Sequence, residues 1–253
     1  MKLLFVALMA LVAGMVNAVA GGGTFIVFPT LTGVSGLTEK AANIACTIGL
    51  WPGSASSVIA ARKQAMSLSP RILSLYAVLC LAGGTLGAIL LQKTSDHSFD
   101  LLIPWLLAFA TLVFALGKRV AAWVRRTEAH PSTSWIAFSA CVQFIIAIYG
   151  GYFGAGIGVL TLAGLSVTGL GDLHQLNALK VVLSTCTNLA AAVIFLFGPV
   201  PWHEVGVLAA ASTVGGFSGM VVAQRMSQTL LRGIILTVGI GLTGFYFWKS
   251  YIA

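Results

Sequence analysis

Apolar residues run along this chain in blocks separated by short clusters of charge, proline and turn residues. A bilayer crossing by an α-helix takes about 20 mostly apolar residues. Eight blocks meet that length approximately: Leu3 to Ala20, Thr38 to Ala61, Pro70 to Leu91, Leu101 to Leu116, Ser134 to Gly150, His174 to Phe197, Trp202 to Gln224 and Thr229 to Tyr251. Two shorter apolar pieces, Thr24 to Val34 and Val159 to Thr168, cannot span and read as re-entrant or interfacial segments. Ser69 followed by Pro70 supplies an N-cap and a first helical position for the third block. Pro52, inside the second block, is expected to kink it.

Each short piece follows a glycine-broken stretch. The first runs from Gly14 to Gly23 (GMVNAVAGGG) and leads through Thr24 to Pro29; the second runs from Gly150 to Gly158 (GGYFGAGIG) and leads through Thr161. Hydrocarbon offers no water to a free amide, so broken backbone at membrane depth is tolerated only where protein buries it or a cavity is lined. Two such breaks at matching places in two halves point to a transporter binding site. The match extends further. Gly14 aligns with Gly151 and Gly21 with Gly158; after a one-residue shift, Thr32-Gly33 aligns with Thr168-Gly169, Leu37 with Leu173 and Ala42 with Ala178. Gly83-Gly84-Thr85-Leu86-Gly87 then matches Gly215-Gly216-Phe217-Ser218-Gly219. Four helices per half is an even number, so the expected repeats are parallel, about an axis along the membrane normal.

Composition agrees with the pattern: 58% of residues are hydrophobic, 8% are charged and the mean hydropathy is +0.98. The fold class expected is an all-α integral membrane protein. Its single transporter domain divides into a first repeat over about residues 1–117, a basic loop over about 118–133 and a second repeat over about 134–253. Cytoplasmic loops carry the excess of Lys and Arg. With the N-terminus inside, Lys2, Arg62, Lys63, Arg71, Lys118, Arg119, Arg125, Arg126 and Lys249 are cytoplasmic; Lys40 and Lys93 face out, and Arg225 and Arg232 are misfits. Both termini are thus expected inside. Met1 to Ala20 also resembles a secretory leader ending at Val16-Asn17-Ala18, but the same glycine pattern recurs deep inside the chain, which favours a retained helix.

The formal charge of +8 follows mostly from this topology, with lipid headgroups rather than nucleic acid as the partner of the basic loop. Homo-oligomerisation is left open. Cys46, Cys80, Cys141 and Cys186 all fall inside predicted helices as buried thiols, without CxxC or His spacing, so neither metal nor cofactor is expected.

Intramembrane polar groups usually face a bundle interior, and an ionisable one is a functional candidate by default. Lys180 lies about two turns into the sixth block with no Asp or Glu one turn away on that helix. It needs a carbonyl cluster, water or an anionic ligand, or else it snorkels to the headgroups. Asn43 and Thr47 on the second block, and Ser184, Thr185, Thr187 and Asn188 on the sixth, offer neutral donors suited to an oxyanion, or to bonds between helices. Asn17 and Gln143 read the same way. Freed amides around Gly21, Gly22, Gly23, Gly156 and Gly158 could face an anion, or the glycines could serve packing alone. Glu39, Asp96, Asp100, Glu128, Asp172 and Glu204 all lie in loops or near helix ends, so no central proton relay is evident; His174, His203 or the substrate would have to supply one.

Intramembrane proteolysis is the main rival class. Gly33-Val34-Ser35-Gly36 and Gly216-Phe217-Ser218-Gly219 match a rhomboid-like GxSG, but no His follows the second and the first lies in a predicted loop. Gly169-Leu170-Gly171-Asp172 matches GxGD, yet a second intramembrane Asp to share a proton is lacking. The chain is not read as an enzyme.

The glycine break followed by Pro29, its weaker repeat at Gly151 to Gly158, Asn177-Ala178-Leu179-Lys180 with Asn188, Gly198 to Trp202, and the GGxxG of both third helices resemble the TauE/SafE family of membrane permeases. The resemblance covers nearly the whole chain. It implies a multi-pass exporter of sulfite or small organosulfonates in the bacterial cytoplasmic membrane, in a family that also includes uptake members. The second half departs from the first in lacking a GGG and in having Ser166 opposite Pro29, so the halves need not bind alike. Outward movement of one negative charge gains about 2.3 kcal/mol per 100 mV of inside-negative potential, so anion export needs no further driving force. The site expected comprises Lys180, Asn43, Thr47, Asn188, Thr185, Gly21, Gly22, Gly23, Gly156 and Gly158. The alternatives are uptake of an anion or other small metabolite by the same architecture, and a membrane scaffold without transport.

Overall fold

A computed structural model describes residues 2–65, 69–124, 133–166, 173–222 and 228–252. Every regular element in them is helical: α1 (Lys2–Ala20), α2 (Thr24–Thr30) continued by a π-helical turn (Leu31–Ser35), α3 (Glu39–Ala65), α4 (Pro70–Lys93), α5 (Asp96–Val124), α6 (Thr133–Tyr152), α7 (Ile157–Ser166), α8 (Leu173–Phe195), α9 (Trp202–Val222) and α10 (Gln228–Tyr251). Each apolar block is thus one helix, and the two short pieces are α2 with its π turn and α7. Pro70 opens α4, as expected, with Ser69 at the capping position but making no side-chain cap bond, and Pro52 lies inside α3. α5 starts earlier than its apolar block because Asp96, in its first turn, suits the positive end of the helix dipole. Among the described residues, Pro70–Lys93, Asp96–Leu116 and Gln175–Phe195 are long and apolar enough to cross a membrane. Arg125, Arg126, Glu128, Arg225 and the GxGD stretch from Gly169 to Asp172 lie outside the described residues.

A few polar bonds fix which helix ends lie together. Lys40 Nζ donates to the carbonyls of Thr94 (2.6 Å) and Gln92 (3.3 Å), so α3 starts where α4 ends. Gln92 Nε2 donates to the Ile194 carbonyl (2.8 Å), which brings the end of α8 to the same place. Lys249 pairs with Glu39, and Ser250 Oγ donates to the Asp100 carbonyl (3.1 Å), adding the start of α5 and the end of α10. This is the Glu39 end. At the other end, the Arg71 end, α4 begins, and Tyr76 Oη donates to the Ile136 carbonyl (3.3 Å) near the start of α6.

These contacts overturn the expectation of parallel halves. α3 and α8 pack on each other yet run in opposite directions, as do α4 relative to α9 and α5 relative to α10. The error came from counting the first helix of each half as a complete crossing. α2 instead folds back along α1, with Gly23 against the Ala13 carbonyl and Asn17. It returns to the Glu39 end, where Tyr246 Oη donates to Thr32 Oγ1 (3.1 Å). α7 folds back along α6 in the same manner: Gln143 Nε2 donates to Thr161 Oγ1 (3.2 Å) and Ser139 Oγ to the Gly164 carbonyl (2.7 Å). Two helical hairpins therefore enter from opposite ends, which leaves three long helices in each half. An odd number reverses the second half.

The same geometry corrects the grouping of charges. Lys249 lies with Lys40 and Lys93 at the Glu39 end, not with Arg71 and Arg119. Arg232, near the start of α10, joins the Arg71 end and is no longer a misfit. The thiols also differ from expectation: Cys46 and Cys80 are buried and Cys186 is half-buried, but Cys141 is exposed on α6, and all four are free.

α4 packs against α6 and α8, while α9 packs against α1 and α3. Glycines make both contacts close. A methyl group at Gly87 would lie 2.0 Å from the Ile148 carbonyl oxygen, and one at Gly215 would lie 2.1 Å from that of Leu11. Both GGxxG motifs are therefore helix-contact surfaces, which lipid-embedded helices use because no hydrophobic force drives them together. A larger apolar core includes Phe25, Phe28, Phe99 and Phe153, and a smaller one between α4, α6, α7 and α8 includes Tyr76, Cys80, Leu165 and Leu183.

Candidate functional site

The tips of the two hairpins meet. Gly21 has φ +72° and its Cα points at Gly158, so that a methyl group there would sit 3.1 Å from the Gly158 Cα. Only glycine adopts this left-handed geometry without strain, and only glycine lets two backbones come this close. The breaks that the sequence places more than a hundred residues apart thus form one central junction. Gly22 faces Phe114 of α5 and Ile235 of α10, Gly156 (φ +73°) faces Ala110 of α5, and Gly23 packs on α1.

The junction is held by polar side chains of the long helices. Asn17 Nδ2, just before the first break, donates to Ser54 Oγ of α3 (2.8 Å). Asn43, fully buried on α3, donates through Nδ2 to the Tyr152 carbonyl (2.9 Å) where α6 ends at the second break. Tyr149 Oη donates to the Ala155 carbonyl (2.9 Å), and Phe153 is buried against Phe28, Phe99 and Tyr149. Asn188 of α8 has its Oδ1 within 4 Å of where a Gly154 methyl group would stand, so Asn43 and Asn188 flank the second break from α3 and α8.

Lys180, Ser184 and Asn188 recur at intervals of four on α8 and so share a face. Lys180 is only 8% exposed, hence covered by protein rather than projecting outward, and no ion pair is made by it among the described residues. Among the described residues the Ser184 hydroxyl is buried without a partner, as are Asn43 Oδ1 and Trp51 Nε1 on α3. A buried polar atom left unpaired costs about 1–3 kcal/mol, so each of these calls for a partner or ordered water. Thr47 and Thr185 are differently employed: their hydroxyls donate to the carbonyls of Asn43 (3.0 Å) and Val181 (2.8 Å) within their own helices. Trp51 escaped the sequence reading because an indole in an apolar helix looks like core; its spacing of four from Thr47 and eight from Asn43 was the available signal.

Known proteins now place the chain. The model of the family described as sulfite exporter TauE/SafE matches residues 6–246. The chain belongs to the TauE/SafE family. Among similar proteins is a probable membrane transporter protein of Haemophilus influenzae, 26% identical over 236 residues, covering 92% of this chain and 89% of the relative. A second, from a Sinorhizobium species, is 28% identical over 247 residues, covering 94% and 89%. A third, from Escherichia coli strain K12, is 26% identical over 247 residues, covering 96% and 88%. No solved structure matches the chain. As a TauE/SafE member it is a membrane-embedded protein of a transporter family, which accounts for broken backbone in an apolar interior.

Proposed function

We propose that this TauE/SafE protein exports a small oxyanion, sulfite or an organosulfonate, by alternating access. The observation that carries the reading is the meeting of the two hairpin tips, the second flanked by Asn188 on a face of α8 that also carries the buried Lys180 and the unpaired Ser184 hydroxyl. Lys180 supplies charge, Ser184 and Asn188 supply hydrogen bonds along the same face, and the glycine breaks at Gly21 and at Gly156 to Gly158 supply backbone. Asn43 holds the second break in place, while Thr47 and Thr185 contribute only if their helix-internal bonds open.

In this proposal the two halves are inverted repeats, each a re-entrant hairpin followed by three crossings, and transport alternates the exposure of the shared junction. The Arg71 end faces the bacterial cytoplasm, because Arg62, Lys63, Arg71, Lys118, Arg119 and Arg232 all belong to it. Both ends of the described chain then face outward, the reverse of the orientation read from sequence. The basic end also attracts anions toward the mouth through which export begins.

Sulfite flux in proteoliposomes tests this reading. An imposed potential without a pH gradient is expected to drive sulfite toward the positive side. Flux that requires a pH gradient would replace uniport by proton coupling; accumulation against the expected polarity would favour uptake, and absence of flux would favour a scaffold.

A further inference from the structure

We propose that the last turn of α10 is a proton-operated latch at the Glu39 end, closed by one proton held between the carboxyls of Glu39 and Asp100 and loosened when that proton leaves. It goes beyond the transport reading and rests on it only for the side, outside the cell, from which the proton comes. Three helix ends meet there through complementary groups. Glu39, in the first turn of α3, has a side chain only 10% exposed and pairs with Lys249 of α10, which is half-exposed. Asp100, one turn into α5, is set beside Lys249 by the bond from Ser250 Oγ to its carbonyl (3.1 Å), and its carboxyl lies within hydrogen-bond reach of that of Glu39. Asp100 Oδ1 is buried and meets no donor among the described residues. Two facing carboxylates repel, and one lysine supplies a single positive charge for two negative ones. A shared proton resolves both: Asp100 then donates to Glu39, which also accepts from Lys249. Lys249 lies over the ring of Tyr246 (5.7 Å), whose hydroxyl donates to Thr32 Oγ1 (3.1 Å) in the π turn. The latch thus ties α10 and α5 to α3 and to the first hairpin. When the proton leaves, repulsion between the two carboxylates acts across the contact of α3 with α5, and the half-exposed Lys249 is shared between them.

Around the pair stand Lys249 and Tyr246 from α10, Asp96 from α5, Cys46 from α3 behind Tyr246, and Lys40 from α3, which pairs with Asp96 at 3.6 Å. His97 is exposed three residues before Asp100, and His203 and Glu204 open α9 at the same end. Lysine, tyrosine and thiol side chains ordinarily keep one charge state between about pH 5 and about pH 7.5, so carboxyls and histidines are the groups that respond in that window.

The separation of α10 from the other helices is read by double electron–electron resonance on the full chain in lipid nanodiscs. Spin labels are placed at the exposed positions Lys93→Cys, at the end of α4 that Lys40 bonds to α3, and Ile252→Cys, after α10, with the four native cysteines replaced by Ala. From about pH 5 to about pH 7.5 the population at the longer distance is expected to rise at least about fivefold, the scale of an ordinary coupling between two states. Asp100→Asn, whose amide donates to Glu39 at every pH, and Glu39→Gln, which leaves a single carboxyl, are each expected to abolish the rise. An unchanged distance distribution in the labelled parent would overturn the proposal. A rise that persists in either variant would overturn it too, since it would belong to a histidine, Asp96 or Glu204. Either variant decides if the other does not fold. Sulfite flux is measured separately: a responsive latch without flux removes the export reading and leaves the proposal standing, and flux with an unresponsive latch does the reverse.

Discussion

The two glycine breaks have equivalent backbone roles and unlike chemistry. The first is tied by Asn17 to Ser54, a bond in which each side chain finds the other, and the two glycines on either side of Gly22 pack on backbone. The second is held through a backbone carbonyl by Asn43, a residue of the opposite half, whose remaining oxygen stays unpaired. It also faces α8, where Lys180, Ser184 and Asn188 lie in one column. At the position aligned with Lys180 the first half has Ile44, which is buried in the apolar core. Similar hairpins can thus close one junction while only one of them is flanked by Asn188 and its column of polar side chains. Satisfied polar groups hold a structure, and unsatisfied ones wait for a partner.

Substitutions that treat the two breaks alike should therefore give unequal results. The largest effect is expected at the junction itself. Gly21→Ala adds about 1–3 kcal/mol of left-handed strain and also pushes its methyl group onto the Gly158 backbone. Gly156→Ala has the same strain, but its methyl group would meet Ala110 at an ordinary 3.6 Å. Thermal unfolding in detergent should show Gly21→Ala as the clearly less stable protein. Equal midpoints would mean that the contact between tips contributes no energy.

Lys180→Ala should come next, cutting sulfite flux at least about tenfold, the equivalent of 1.4 kcal/mol, with folding retained. Ile44→Val, in the first half, should cost about 0.5–1.5 kcal/mol of stability and leave flux per folded molecule near normal. If Lys180→Ala kept both flux and apparent affinity, the lopsided site would have to be abandoned. The smallest expected effect is the tie at the first break: a double-mutant cycle on Asn17→Ala and Ser54→Ala should give a coupling of about 1 kcal/mol in stability. Their single variants should leave sulfite flux per folded molecule near normal, in contrast to Lys180→Ala.

Much of the fold was legible because hydropathy responds to one physical demand, that long apolar helices replace water with lipid or protein around the backbone. Block boundaries, the two short helices and the irregular backbone at the glycines all follow from it. Direction was not legible. Whether the chain after Gly23 goes on or turns back depends on Gly23 docking against Ala13 and Asn17, a contact between residues that hydropathy treats as separate. That turn decided the relative direction of the halves and moved Lys249 to the end of Lys40.

The candidate site divides along the same line. Lys180 stood out from sequence because an ammonium in an apolar helix is costly wherever it points. Asn43, Thr47 and Thr185 were indistinguishable as neutral polar groups, since their difference is one of partners. The two threonines bond within their own helices, whereas Asn43 reaches a carbonyl of α6 and keeps an acceptor spare. Sequence by itself determined a helical membrane protein with two glycine breaks, a lysine within an apolar helix and membership of TauE/SafE, because composition, segment length and local motifs carry those properties. Only the tertiary structure decided that the breaks meet at Gly21 and Gly158, that the halves oppose each other and which polar atoms stay unpaired, because each depends on where distant segments pack.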